Sequence, residues 1–214
     1  MDLELPDGVS LFKLKMNPDS RGIFTEIYRE SWFDPPRPLQ WNVVSSSANV
    51  LRGVHVHIDH TDYLFLIQGR ALFALRDLRK GSPTEGRVSL VEADEEKLQG
   101  LVIPPGVAHG FYFHTPSIHL YGVTEYWNPD DELGCHFADP QLQISWPNRS
   151  PILSERDENL PALDEILDRI PPWRPHSKQF PNQGGRERLA NEVLYRPATQ
   201  EQTGLVGRSE VRQR

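Results

Sequence analysis

From about residue 10 to residue 147 the chain alternates short apolar or every-other-residue apolar runs with turn-forming residues. LFKL, GIFTEIY, QWNVVSSS, VLRGVHVHI, YLFLIQGRALFALRDL, GRVSLVEA, GLVIP, GFYFH, IHLYGVTEYW and LQISWP each suit a strand. NPDSRG, LRKGSPTEG, IPPGVAHG and WNPDDELG supply the Pro, Gly, Asn and Asp that turn the chain between them. Many short strands at this spacing predict an all-β sandwich or barrel rather than alternating βα units. A helical period occurs in DENLPALDEILDRI, where Leu163, Ile166, Leu167 and Ile170 fall at i, i+3, i+4 and i+7, and Pro171 and Pro172 stop it. After Trp173 the chain turns polar and charged, with few core-forming residues. One domain is therefore expected over residues 1–173 and a polar tail over 174–214, in which RERLANEVLY suits one or two helical turns.

A chain of 214 residues is long enough for one domain with a proper core. Its formal net charge of -7 would be repelled by a nucleic-acid backbone or an anionic membrane, so neither is expected as a partner. A small anionic ligand held by a few placed arginines remains compatible. The single cysteine, Cys135, excludes an intramolecular disulfide, MDLELPDGVS lacks an export pattern, and no run approaches membrane-spanning length. A soluble cytoplasmic protein is the expectation.

The densest chemistry lies in GVHVHIDHTDYLFLIQG, residues 53–69. His55 and His57 stand two apart, so on a strand both imidazoles face one cavity. Four residues later comes Asp62, and PPGVAH adds Pro104, Gly106 and His109. Three imidazoles and a carboxylate suit a divalent transition metal. The plain alternative makes His57 and His60 polar residues at a barrel mouth and His109 a turn cap. Together the two motifs resemble those of the cupin superfamily, a small jelly-roll barrel whose metal-binding members use two early histidines, a glutamate and a late histidine. Asp62 stands at the glutamate position.

A longer match is narrower. LRGVH, DLRKGSPTEGR, IPPGVAHGF, LYGVTEYWNPDDELG, FADPQLQISWP and PILSERD, in that order, with SRGIFTEIYRESWF and QWNVVSSS before them, resemble the nucleotide-sugar 3,5-epimerase family over about residues 10–170. The resemblance implies a cupin-type double-stranded β-helix (jelly roll) with a short C-terminal helix, no cofactor, and a homodimer whose N-terminal strands cross to the partner. It implies action on a nucleotide-diphosphate sugar, a 4-keto-6-deoxyhexose, inverted at C3, C5 or both. Such chemistry needs a base on one face of the sugar, an acid on the other and a donor near O4. By the same resemblance His55 is the base, Asp157 its orienting carboxylate, Tyr121 the opposite-face acid, and His109 lines the pocket near O4. Arg21, Phe24, Glu26, Gln40, Asn42, Arg52, His57 and Trp127 form the substrate-binding set, Trp127 standing where the family has tyrosine. Taken singly, Tyr121 suits an ordinary strand tyrosine and Asp157 a helix cap. Their joint occurrence favours the catalytic reading.

Two positions depart from the family. The glutamine of its RGxHxQ motif is His57 here, and a lysine seven residues before the aligned Gly69 is Asp62. A carboxylate in place of that cation would destabilise an oxyanion at O4 unless another donor or an ion intervened. The same changes restore the metal-cupin pattern of His55, His57, Asp62 and His109. They also resemble the nucleotide-sugar 3,4-ketoisomerases, which read RGxHxH but lack the DPxLxIxWP and LSxxD endings present here. The epimerase reading therefore ranks first. A metal-dependent cupin enzyme, a ketoisomerase and a non-catalytic sugar-nucleotide binder are the alternatives.

Overall fold

The computed structural model describes residues 4–33 and 37–175. Its strands are β1 (Ser10–Lys13), β2 (Met16–Asp19), β3 (Gly22–Thr25), β4 (Gln40–Ser46), β5 (Leu51–Val56), β6 (Asp62–Gln68), β7 (Arg70–Asp77), β8 (Val88–Asp94), β9 (Gln99–Ile103), β10 (Val107–Phe113), β11 (Ser117–Val123) and β12 (Leu133–Gly134). One sheet has the order β1-β9-β6-β11-β4 and a second β12-β5-β10-β7-β8, while β2 and β3 form a separate ribbon. These ladders are antiparallel. Strands that alternate between two sheets in this way make the jelly roll expected from the sequence.

The switch between sheets is visible at Gly69. YLFLIQGRALFALRDL reads as one long apolar run, yet Gly69 takes φ 92° and the run divides into β6 of the first sheet and β7 of the second. A side chain there would meet Ser117 Oγ at 2.3 Å, so only glycine allows the turn.

Leu64, Leu75, Leu101, Ile103 and Phe113 fill the space between the sheets at one end. Leu51, Val54 and Val56 face the other way and are covered by the C-terminal segment through Leu142, Leu163, Ile166 and Ile170. Two expectations change in that segment. LQISWP is not a strand: Pro140–Leu142 is a 3-10 turn, and Ile144 and Trp146 pack onto the outside of the second sheet. The expected helix over 157–170 is one α turn, α1 (Glu155–Glu158), followed by 3-10 turns at Leu163–Glu165 and Leu167–Arg169. Pro161 interrupts it, because proline cannot donate to the preceding turn. Leu163, Ile166 and Ile170 still reach the core, whereas Leu167 is 41% exposed.

Among the described residues, no helix is long and apolar enough to cross a membrane. Beyond Arg174 and Pro175, the expected tail and its RERLANEVLY segment lie outside the described residues.

Candidate active site

β5 and β10 pair so that His55 stands directly across from His109. This close approach depends on Gly53: at φ 112°, an added Cβ would lie 2.8 Å from the His109 carbonyl oxygen. Across from them, β11 carries Tyr121 between Leu64 of β6 and Asn42 of β4. A cavity of about 290 Å³ lies between, lined by side chains of both sheets, including His55 and His109 from one and Tyr121 from the other.

Asp157 reaches this cavity from α1. Its Oδ1 lies 2.8 Å from His55 Nε2, and its Oδ2 accepts the Gly53 N–H at 3.4 Å. Burial works against the Asp157 charge, but the hydrogen bond and field of His55, together with the Gly53 N–H and Ser154, hold the carboxyl below the usual range. An ionised Asp157 keeps the proton on His55 Nε2 and leaves the lone pair on Nδ1. The cap of α1 is Ser154, whose Oγ accepts the Asp157 N–H. The Asp157 carboxylate is thus free for His55. Burial, with Asp62 and Glu132 nearby, raises the Tyr121 phenol, which stays protonated near neutral pH.

Below this pair lies a cluster of imidazoles. Nε2 of His57 and of His109 stand 3.7 and 3.8 Å from Asp62 Oδ2, and His60 Nε2 stands 3.7 Å from Asp62 Oδ1. His57 and His60 stack with ring centres 3.9 Å apart. Burial pushes His57 and His109 down to about 4. Burial opposes charge on His60 as well, yet Asp62 and Asp131 together push it up to about 9. Burial opposes charge on Asp62 too, yet His57, His60 and His109 together hold its carboxyl down to about 2. Asp131 is fixed in turn, accepting the Ile58 and Asp59 N–H groups at 2.5 and 2.9 Å and lying 2.5 Å from His60 Nδ1.

Gln40, Asn42, Arg52, His57 and Trp127 of the substrate-binding set line the same cavity. Gln40 Nε2 donates to Asn42 Oδ1 at 3.0 Å, and Arg52 Nε donates to Ser46 Oγ at 2.9 Å. Trp127 is 67% exposed at the lip. Arg21, Phe24 and Glu26 do not line it. Arg21 pairs with Asp19 on the ribbon, Phe24 is 63% exposed, and Glu26 accepts from Arg29. Asp131, Glu132 and His119 went unread in the sequence, and His60 was read there only as a polar residue at a barrel mouth. His119 is buried and its Nδ1 lacks a hydrogen bond. One signal was available for it: a histidine two residues before Tyr121 faces the same side of the strand.

A jelly roll carrying a histidine–carboxylate pair on one wall and a protonated tyrosine on the other belongs to the class of proton-transfer isomerases. The family model described as dTDP-4-dehydrorhamnose 3,5-epimerase matches residues 3–165, and the chain belongs to that family. It is 35% identical over 164 residues to the Pseudomonas aeruginosa dTDP-4-dehydrorhamnose 3,5-epimerase, covering 72% of this chain and 90% of that protein. With the Neisseria gonorrhoeae protein of the same name the identity is 34% over 165 residues, 73% of this chain, and the match spans half of that longer protein. Among solved structures, the Legionella pneumophila epimerase in complex with dTDP-4-keto-L-rhamnose superposes with a TM-score of 0.72 at 30% identity, covering 79% of this chain and 95% of that one. The 3'-monoepimerase ChmJ of Streptomyces bikiniensis in complex with dTDP-quinovose gives 0.73 at 29% identity, covering 80% and 93%.

Proposed function

We propose that this protein inverts C3, C5 or both in a nucleoside-diphosphate-linked 4-keto-6-deoxyhexose. The observation that carries the reading is one cavity with His55–Asp157 on one wall and Tyr121 on the other. His55 Nδ1 takes the proton from the carbon beside the ketone, and the C–H electron pair moves onto O4. Asp157 stabilises the imidazolium that forms. Tyr121 then delivers its phenolic proton to the opposite face of the carbon, the ketone re-forms, and solvent restores both groups.

Arg52 offers a planar guanidinium for the diphosphate, Gln40 and Asn42 offer amide contacts, and Trp127 offers a ring for the base to stack on. The bound thymidine-diphosphate sugars of the Legionella and Streptomyces relatives support that class of substrate. In this reading the protein acts as a homodimer. Ile23 and Phe24 on the β2–β3 ribbon and Trp41 and Val43 on β4 are exposed apolar side chains that a second copy would cover, carrying Arg21, Phe24 and Glu26 toward its cavity. Cys135, buried and unpaired, suits a reducing compartment, and we place the protein in the cytoplasm.

The test is exchange in deuterated water. Wild-type protein should label C3 or C5 of a nucleoside-diphosphate 4-keto-6-deoxyhexose and invert it, and His55→Ala should do neither. No label in any such sugar, or migration of the carbonyl from C4 to C3, would sink the proposal.

A further inference from the structure

The cavity holds more histidine than two proton transfers need. His55 and Tyr121 account for those transfers, which leaves His57, His60, Asp62 and His109 gathered in the same cavity. Their separations from Asp62, 3.7 to 3.8 Å, are too long for hydrogen bonds. The ligand atoms of His57, Asp62 and His109 nevertheless all lie within 4.8 Å of one another. Donors bound at about 2.0–2.2 Å to one tetrahedral ion stand roughly 3.3–3.6 Å apart. The two imidazole nitrogens, at 3.7 and 3.8 Å from Asp62 Oδ2, stand close to that spacing from the carboxylate.

The outer nitrogens are arranged as ligands require. His109 Nδ1 lies 3.2 Å from the Val107 carbonyl oxygen, to which it donates, turning the Nε2 lone pair toward Asp62. His57 Nδ1 faces Glu132 Oε1 at 3.6 Å, and His60 Nδ1 faces Asp131 Oδ2 at 2.5 Å. A carboxylate or carbonyl behind the imidazole is the usual support of a metal-bound histidine; His109 has it within hydrogen-bond reach, and His57 has Glu132 just beyond that reach. The protein's own side chains also leave polar atoms of the cluster unsatisfied. His57 Nδ1 and His60 Nε2 are buried with no hydrogen-bond partner, in residues only 7% and 5% exposed. Buried polar atoms seldom remain so.

We infer that His57 Nε2, Asp62 Oδ2 and His109 Nε2 bind a divalent first-row transition metal ion at the cavity wall. His60, held by Asp131, orients the carboxylate through Asp62 Oδ1, and Glu132 backs His57. Two imidazoles and one carboxylate suit zinc, manganese, iron or cobalt rather than calcium or magnesium. Three protein ligands leave at least one position open to the cavity. This departs from the cofactor-free expectation drawn from the family resemblance. The site's use rests on the proposed function: a cation beside His55, whose strand partner is the ligand His109, would attract the charge that develops on O4.

The experiment separates binding from turnover. Tag-free protein purified without chelator is assayed for metals by elemental analysis. After stripping with chelator, it is titrated with zinc, manganese and cobalt(II), the last followed by its visible ligand-field spectrum. Near one ion per chain, with Asp62→Asn and His109→Gln each weakening binding at least tenfold, supports the site. Asp131→Asn, behind His60, should weaken it by about 10- to 100-fold. His55→Ala should bind as tightly as wild type. Circular dichroism checks that each variant is folded, and if one fails the wild-type titration and the other variant still decide. Stripped, folded wild-type protein that binds none of the three ions overturns the inference, as does unchanged affinity in folded Asp62→Asn. Stripped wild-type protein that exchanges deuterium but binds none of the three ions sinks this site and leaves the epimerase reading standing. Stoichiometric metal without exchange does the reverse.

Discussion

In the proposed reaction Asp157 decides which nitrogen of His55 acts as base, and that choice can be tested at the level of single atoms. In Asp157→Asn the amide can present its N–H to Nε2 and favour the wrong tautomer, so turnover should fall by about 100- to 10,000-fold with little change in KM. Steady-state kinetics on the purified variant would check this. Tyr121→Phe removes the opposite-face acid but not the base. Proton NMR in deuterated water should then show label entering with retained configuration and the inverted product lost. His55, Asp157 and Tyr121 were legible because each sits in a short motif whose spacing survives in the sequence. Asp131 was not, because its partner His60 is 71 residues away.

The β7–β8 connection shows how one element holds its shape. DLRKGSPTEGR folds around Asp77, fully buried, which accepts from Arg79 Nε at 2.8 Å and from Ser82 Oγ and Thr84 Oγ1 at 2.6 Å each. Burial disfavours the charge, yet Arg79 and the two hydroxyls hold the Asp77 carboxyl below its ordinary value. A folded-state pKa below the unfolded one stabilises the protein above about pH 4, and that stability is lost as pH falls through the folded value. Asp77→Asn removes the carboxylate that Arg79, Ser82 and Thr84 share and should cost about 3–5 kcal/mol at pH 7. Urea unfolding across a falling pH series should show the gap between the two proteins narrowing as pH drops below the ordinary carboxylate range. The strand runs were legible at this scale because period-2 burial and turn residues act locally. The 157–170 helix and LQISWP were not. There the apolar spacing serves to cover the second sheet, and Pro161 lets 3-10 turns do what a helix was expected to do.

Across the whole molecule, two sheets place His55 and Tyr121 on opposite walls, and the exposed apolar side chains of β4 lie outside that arrangement. Trp41 and Val43 are 40% and 70% exposed, and they alternate with Gln40 and Asn42, which line the cavity. Wild-type protein should sediment as a dimer. Val43→Glu should shift it to monomer and lower activity, because the partner's ribbon would no longer reach the cavity. Analytical ultracentrifugation beside the exchange assay reads both; a fully active monomeric wild type would contradict the dimer.

By itself the sequence determined the strand runs, the jelly-roll class and the motifs of His55, Tyr121 and Asp157 on which the proposed proton transfer rests, since local periodicity, turn chemistry and short motifs are written in consecutive positions. Only the tertiary structure decided that His57, His60, Asp62, His109, Asp131 and Glu132 form one buried cluster. Their convergence depends on β5, β6, β10 and the turn before β12 meeting at one end of the fold. Such a meeting is set by sheet register and burial, which no short stretch of chain encodes.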